Sequence, residues 1–195
     1  MKNGTIWLIR HSTTEGVEKG WLYGWADLPL SEKGRLLLAE TCAEGIYPSC
    51  EGRDLYSSGF LRATETLRGI YGDVPFEVDG GFREMNVGDF ECHTHEELLS
   101  VPGYAEWLCD HTGETACPNG ESMRGFSERV CGAFDTLMAR QQRDAIVVCH
   151  GGTIASILRH CFPGEEKGFY DWVPAPARGF ALCIAQGKVT SASKL

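Results

Sequence analysis

Basic residues are scarce in this chain: 18 Lys and Arg stand against 27 Asp and Glu, a formal net charge of -9. That excess argues against non-specific binding to nucleic acid or to an anionic membrane, and an anionic substrate would need a local basic pocket. No apolar run approaches a membrane span. No secretion leader is visible, because residues 1–5 run directly into the first apolar segment. No CxxC spacing occurs among the nine cysteines, at 42, 50, 92, 109, 117, 131, 149, 161 and 183. Their odd number and scatter read as reduced thiols of a cytoplasmic protein, several of them small core residues. There is no internal repeat, linker or low-complexity tract. With 43% hydrophobic residues over 195 positions, disorder is excluded and one α/β domain spanning 1–195 is expected.

The chain opens on Ile6-Trp7-Leu8-Ile9, an apolar run that fits a strand buried on both faces, and delivers Arg10 and His11 at its end. Both side chains want water or a partner, so the strand end should open into a polar pocket. In open α/β sheets ligands bind just beyond the carboxyl ends of strands. An arginine fork suits phosphate, and a histidine can serve as base, acid or nucleophile near neutral pH. Near the other end, Ala145-Ile146-Val147-Val148-Cys149 is a second buried strand that ends in His150-Gly151-Gly152 and opens a helix through about Cys161. A helix N-terminus there can hold an anion. Two strand-end histidines in one sheet are far rarer by chance than one.

Between them, 13–26 reads as a loop whose Trp21, Tyr23 and Trp25 either line a pocket or pack the loop down. Ser31 caps a helix over about 32–46, with Leu36, Leu37, Ala39, Glu40 and Ala43 inward. Residues 53–57 form a short strand, and Ser58 caps a helix from Gly59 to Tyr71 that carries Arg62 in its first turn. Residues 75–78 form a third strand, followed by the Gly- and acid-rich loop 80–91. There Glu84 sits between Phe82 and Met85, a setting that can raise its pKa and make it a candidate proton donor, while composition alone favours an ordinary loop acid. Residues 94–109 are helical but short. A long helix covers 122–142, with Met123, Phe126, Val130, Phe134, Leu137 and Met138 at helical spacing. Two strands close the chain between Gly179 and Ser191. Cys92, His93 and His95, and Cys109 with His111, match no common metal spacing and read as loop residues.

Taken together, Leu8–His11, Gly24–Gly34, Ser57–Thr66, Phe82–Glu91 and Val148–Gly152 resemble, in order, the motif blocks of the histidine phosphatase (phosphoglycerate-mutase-like) superfamily. The resemblance is closest to its short phosphatases, such as α-ribazole phosphatase. It implies a three-layer α/β/α sandwich with a mostly parallel central sheet and a small cap. It implies His11 as nucleophile, Glu84 as proton donor, and Arg10, Arg62 and a protonated His150 around the phosphoryl oxygens. Thr14, Gly24 and Gly151 join Arg10, Arg62 and His150 in the implied substrate-binding set. Positioning and charge neutralisation by these groups suffice for phosphoryl transfer without metal or cofactor. Two departures stand out: Ser12 replaces the glycine usual after the nucleophile, and Val17 stands where asparagine is frequent.

The resemblance implies hydrolysis of a small phosphorylated metabolite. A cofactor-dependent mutase and a non-catalytic phosphate-binding module are the alternatives. The sequence leaves the oligomeric state open.

Overall fold

The computed structural model describes residues 3–140 and 143–195. In chain order the elements are β1 (Gly4–Arg10), α1 (Glu15–Lys19), β2 (Trp21–Leu22), α2 (Glu32–Ala43), β3 (Asp54–Ser57), α3 (Leu61–Tyr71) and β4 (Glu77–Val78). There follow β5 (His93–Thr94), α4 (His95–Leu98), α5 (Tyr104–Cys109), α6 (Met123–Arg140), β6 (Ala145–Cys149), α7 (Gly151–Cys161), β7 (Gly179–Ala185) and β8 (Lys188–Lys194). The expected long helix reaches Arg140; its expected last residues, 141 and 142, lie outside the described residues, as do Met1 and Lys2.

The central sheet has the order β4-β3-β6-β1-β7-β8. Its first four strands pair in parallel; β7 and β8 are antiparallel additions. Alternation along the central strands divides the core in two. Ile6 and Leu8 of β1 and Ala145, Val147 and Cys149 of β6 pack with Phe126, Val130, Phe134 and Leu137 of α6 and with the apolar side of α7. Ile9, Ile146 and Val148 face the other way, onto Ala63 and Leu67 of α3. Helices therefore cover both faces, which is why β6 reads as an unbroken apolar run. Among the described residues no helix is long and apolar enough to cross a membrane.

The two-stranded β2–β5 pair, with α4 and α5, forms a small cap. The 13–26 segment is more ordered than expected: Thr14 caps the one-turn helix α1, and Gly20 ends it in the left-handed conformation. Two further local expectations change. The buried face of α2 is Gly34, Leu38 and Thr41, while Leu36 is 60% exposed. The cause is distant: Leu38 seats against Gly69 of α3, where a Cβ would come within 2.5 Å of its Cδ2. And α3 starts at Leu61 without a side-chain cap. The Ser58 hydroxyl is occupied by His150 instead.

Candidate active site

β1 and β6 are parallel neighbours in a register that pairs Arg10 with Cys149. The next residues, His11 and His150, therefore step off the same carboxyl edge side by side. Their rings meet edge to face with centroids 5.2 Å apart, and the His11 amide donates to Cys149 O at 3.0 Å. β3 lies on the far side of β6, so Ser58 and the first turn of α3, with Arg62, reach the same edge. His11, Arg62 and His150 are 4%, 1% and 0% exposed.

Donor and acceptor chemistry assigns both imidazole tautomers. His11 Nδ1 lies 2.6 Å from Ser12 O. A carbonyl only accepts, so Nδ1 carries the proton and Nε2 keeps its lone pair. Arg62 Nε donates to His150 Nδ1 at 3.2 Å, so the His150 proton sits on Nε2, 2.8 Å from Ser58 Oγ. His150 is thus neutral here, which differs from the protonated form that the resemblance implied. Burial, followed by Arg62, holds both rings well below the ordinary histidine range. The positive charge of the site comes from the two arginines.

Three of the five Arg62 N–H groups are spent inside the protein: Nε on His150, Nη1 on Ala26 O at 2.9 Å and Nη2 on Gly24 O at 2.5 Å, which leaves two for an anion. Arg10 is held more loosely. Its Nη1 donates to Pro174 O at 2.7 Å, while its buried Nε has no hydrogen-bond partner among the described residues. Such a donor is a ready anion contact. Glu84 comes from the loop after β4 to the N-terminus of α7. Its Oε2 accepts from Gly152 N at 2.9 Å and its Oε1 from Met85 N at 3.0 Å. Burial pushes this carboxyl above its usual range, against the opposing pull of those amides and of Arg62 and Arg10. A Cβ on Gly152 would lie 2.5 Å from Glu84 Oε1, so the glycine makes room for the acid.

Arg10, Glu84 and Gly151 line a cavity of about 400 Å³ closed by Trp21, Leu22 and Trp107 of the cap and by Phe169 and Tyr170. Arg10 and Glu84 are the charged side chains of its wall. His11, Arg62 and His150, buried behind Arg10, do not line it, nor do Thr14 and Gly24. The Thr14 hydroxyl is buried against Tyr23 Oη at 2.6 Å. The Gly24 amide is taken by Glu91, and its carbonyl by Arg62. Of the aromatic trio, Trp21 and Tyr23 line the cavity, and the Tyr23 ring already carries the Arg62 guanidinium at 5.0 Å. Trp25 lies outside it and donates its indole N–H to Glu84 O at 3.0 Å.

Sequence reasoning missed Glu91, whose carboxylate gathers the amides of Gly24, Trp25 and Ala26 and so shapes the loop that holds Arg62. It also missed Ser58, Thr66 and Ala177. Ala177 has a left-handed backbone (φ 61) that brings its amide to His11 O at 3.3 Å. The histidines at 93 and 95 spend their Nδ1 atoms on Glu91 O and Tyr104 Oη, and Asp110 takes up Thr112 and Thr115.

Comparison with known proteins sets this geometry in context. The model of the histidine phosphatase superfamily (branch 1) matches residues 6–191. The adenosylcobalamin/alpha-ribazole phosphatase of Salmonella typhimurium is 31% identical, over 95% of this chain and 93% of that protein. A phosphoglycerate mutase structure from Thermus thermophilus superposes with a TM-score of 0.73 at 28% identity, covering 98% and 99% of the two chains. The alpha-ribazole phosphatase structure from Shigella flexneri, at 24% identity and a TM-score of 0.82 over 95% and 93%, shares the fold.

Proposed function

The chain belongs to the histidine phosphatase superfamily, and on that footing we propose that it hydrolyses a small phosphate monoester through a phosphohistidine on His11. The enzyme is a phosphoric monoester hydrolase. The observation that carries the roles is the His11 tautomer: with Nδ1 tied to Ser12 O, the free lone pair is on Nε2, beside two arginines. Nε2 attacks phosphorus, Arg10 and Arg62 neutralise the equatorial oxygens, and protonated Glu84 gives its proton to the leaving alkoxide. The carboxylate so formed then takes a proton from the water that splits the phosphohistidine. His150 orients Arg62 and lends a neutral ring to the site.

The alcohol part of the ester occupies a wall that is mostly apolar and aromatic. This supports a substrate such as α-ribazole 5'-phosphate, whose alcohol carries a planar heteroaromatic base. A mutase needs to hold a second anionic group, and among the described residues Arg10 is the only cation that the cavity wall offers. All nine cysteines are free thiols, which fits a reducing cytoplasmic setting.

The test is a panel of phosphate esters, including α-ribazole 5'-phosphate and 3-phosphoglycerate, followed by acid and base quench of the labelled enzyme. The expected result is release of inorganic phosphate and an acid-labile, base-stable phosphoenzyme that His11→Ala abolishes. Turnover should survive a chelator. Wild-type turnover in His11→Ala, isomerisation in place of hydrolysis, or metal-restored loss in chelator would each overturn the reading.

A further inference from the structure

We infer that Ser12 and Thr66 form a buried positioning relay that locks the ring of His11 to the backbone of Arg62; the inference rests on His11 being the nucleophile. Four hydrogen bonds make the relay. Thr66 Oγ1 donates to Arg62 O at 2.7 Å, and Ser12 N donates to Thr66 Oγ1 at 3.0 Å. Ser12 Oγ donates to Gly34 O at 2.7 Å, and His11 Nδ1 donates to Ser12 O at 2.6 Å.

The direction of every bond is forced. Three of the acceptors are carbonyls, each hydroxyl has one proton, and each proton is used once. Ser12 and Thr66 are both 0% exposed, so water cannot substitute for a lost partner without rearrangement. The relay thus joins three elements at one residue: the end of β1, the first turn of α2 through Gly34, and α3 through Thr66.

The serine hydroxyl is what the usual glycine at this place lacks. It pins the turn after His11 to α2, where Gly34 also packs so closely on Thr13 that a Cβ would collide with its carbonyl. The position of Ser12 O sets the tilt of the imidazole, and the tilt sets where Nε2 points. In-line attack on phosphorus is sensitive to that aim: a misplacement of about 1 Å costs on the order of 10²-fold. The same α3 turn carries the Arg62 guanidinium, so nucleophile and phosphate clamp are held to a common frame. Ser12 and Thr66 do not touch substrate in this arrangement; they act through His11 and Arg62.

The experiment compares Ser12→Ala, Thr66→Val and Thr66→Ser with the wild type by rapid-quench phosphoenzyme formation, inhibition by inorganic phosphate, and histidine ¹⁵N NMR. Ser12→Ala and Thr66→Val should slow phosphorylation of His11 by about 10–10²-fold, with the inhibition constant for phosphate unchanged. Thr66→Ser keeps the hydroxyl and should keep the wild-type rate. In the wild type His11 should be the Nδ1–H tautomer, and Ser12→Ala, which keeps the backbone carbonyl at residue 12, should keep that tautomer while its phosphorylation slows.

Wild-type phosphorylation rates in both Ser12→Ala and Thr66→Val would overturn the relay, even if their melting temperatures fell, because a purely structural role predicts that pattern. An Nε2–H tautomer in the wild type would overturn it without any variant, so the test survives variants that fail to fold. A wild type that hydrolyses esters without forming phosphohistidine would remove the nucleophile reading and the relay with it. Phosphohistidine with unaffected relay variants removes the relay alone.

Discussion

Arg62 Nε donates to His150 Nδ1 across 3.2 Å of protein interior, and this contact keeps the second strand-end histidine neutral. A proton on Nδ1 would face the guanidinium directly, so Arg62 and a protonated His150 cannot share this geometry. The site is built on two permanent cations and two neutral imidazoles.

That arrangement has a pH signature. Both His11 and His150 titrate well below the ordinary value of 6.5 in the folded protein. Below about pH 6.5 the unfolded chain takes up protons that the native site refuses. The stability these histidines contribute is therefore complete above that pH. It is lost as pH falls toward their folded values, by about 1.4 kcal/mol per pH unit for each ring. Glu84 has the opposite sign. Its folded pKa is raised above 4.5, so its contribution is complete below that value and is lost as pH rises through the folded one. Urea unfolding between pH 7.5 and 5.5 checks this. His150→Asn should show a shallower acid slope than the wild type; equal slopes would mean that His150 does not titrate as the geometry requires.

Glu84→Gln keeps the shape of the acid and removes its proton. For an alkyl phosphate we expect a loss of about 10²–10⁴-fold in kcat. For p-nitrophenyl phosphate, whose leaving group needs little help, phosphorylation should suffer less and phosphohistidine should accumulate. Gly152→Ala tests the same position through geometry, since the added Cβ comes within 2.5 Å of Glu84 Oε1 and displaces it. It should reproduce the leaving-group dependence with the carboxyl chemically intact. Equal slowing of both substrates in both variants would make Glu84 a binding residue.

Glu91→Ala should damage the site from outside it. The carboxylate takes the amides of Gly24, Trp25 and Ala26, whose chain returns two carbonyls to Arg62. Without it these three amides and that of Val87 lose their partner, and about 2–4 kcal/mol of stability should go with them. Arg62, freed of its cradle, should bind inorganic phosphate more weakly. Urea unfolding and phosphate inhibition measure the two effects; a variant as stable and as tight as the wild type would show that water replaces Glu91 without cost.

Much of this site was legible in the chain because its first requirement is local. A continuous apolar run such as Ala145–Cys149 reads as a strand buried on both faces, and a histidine at its end can be seen without knowing any neighbour. The same holds for Ile6–His11, whereas composition alone reads Glu84 as an ordinary loop acid and its burial comes from the fold. The motif blocks then supply their order. What the chain could not show is which strand lies beside which. The parallel register that brings His150 against His11 joins residues about 139 apart, and nothing local encodes it. Thr66 and Glu91 look in sequence like any solvated polar residue, Ser12 stands out only as a departure from glycine and Ser58 only as a helix cap; each becomes part of the site because another element arrives within 3 Å or so of it. Leu36 and Leu38 of α2 differ by no local signal, and the contact with Gly69 of α3 decides which one is buried. Sequence by itself determined the strand ends and the kind of chemistry they carry. Only the tertiary structure decided the tautomers, the cradle of Arg62 and the wall of the cavity, because hydrogen bonds and packing act at distances of a few ångströms that chain order does not record.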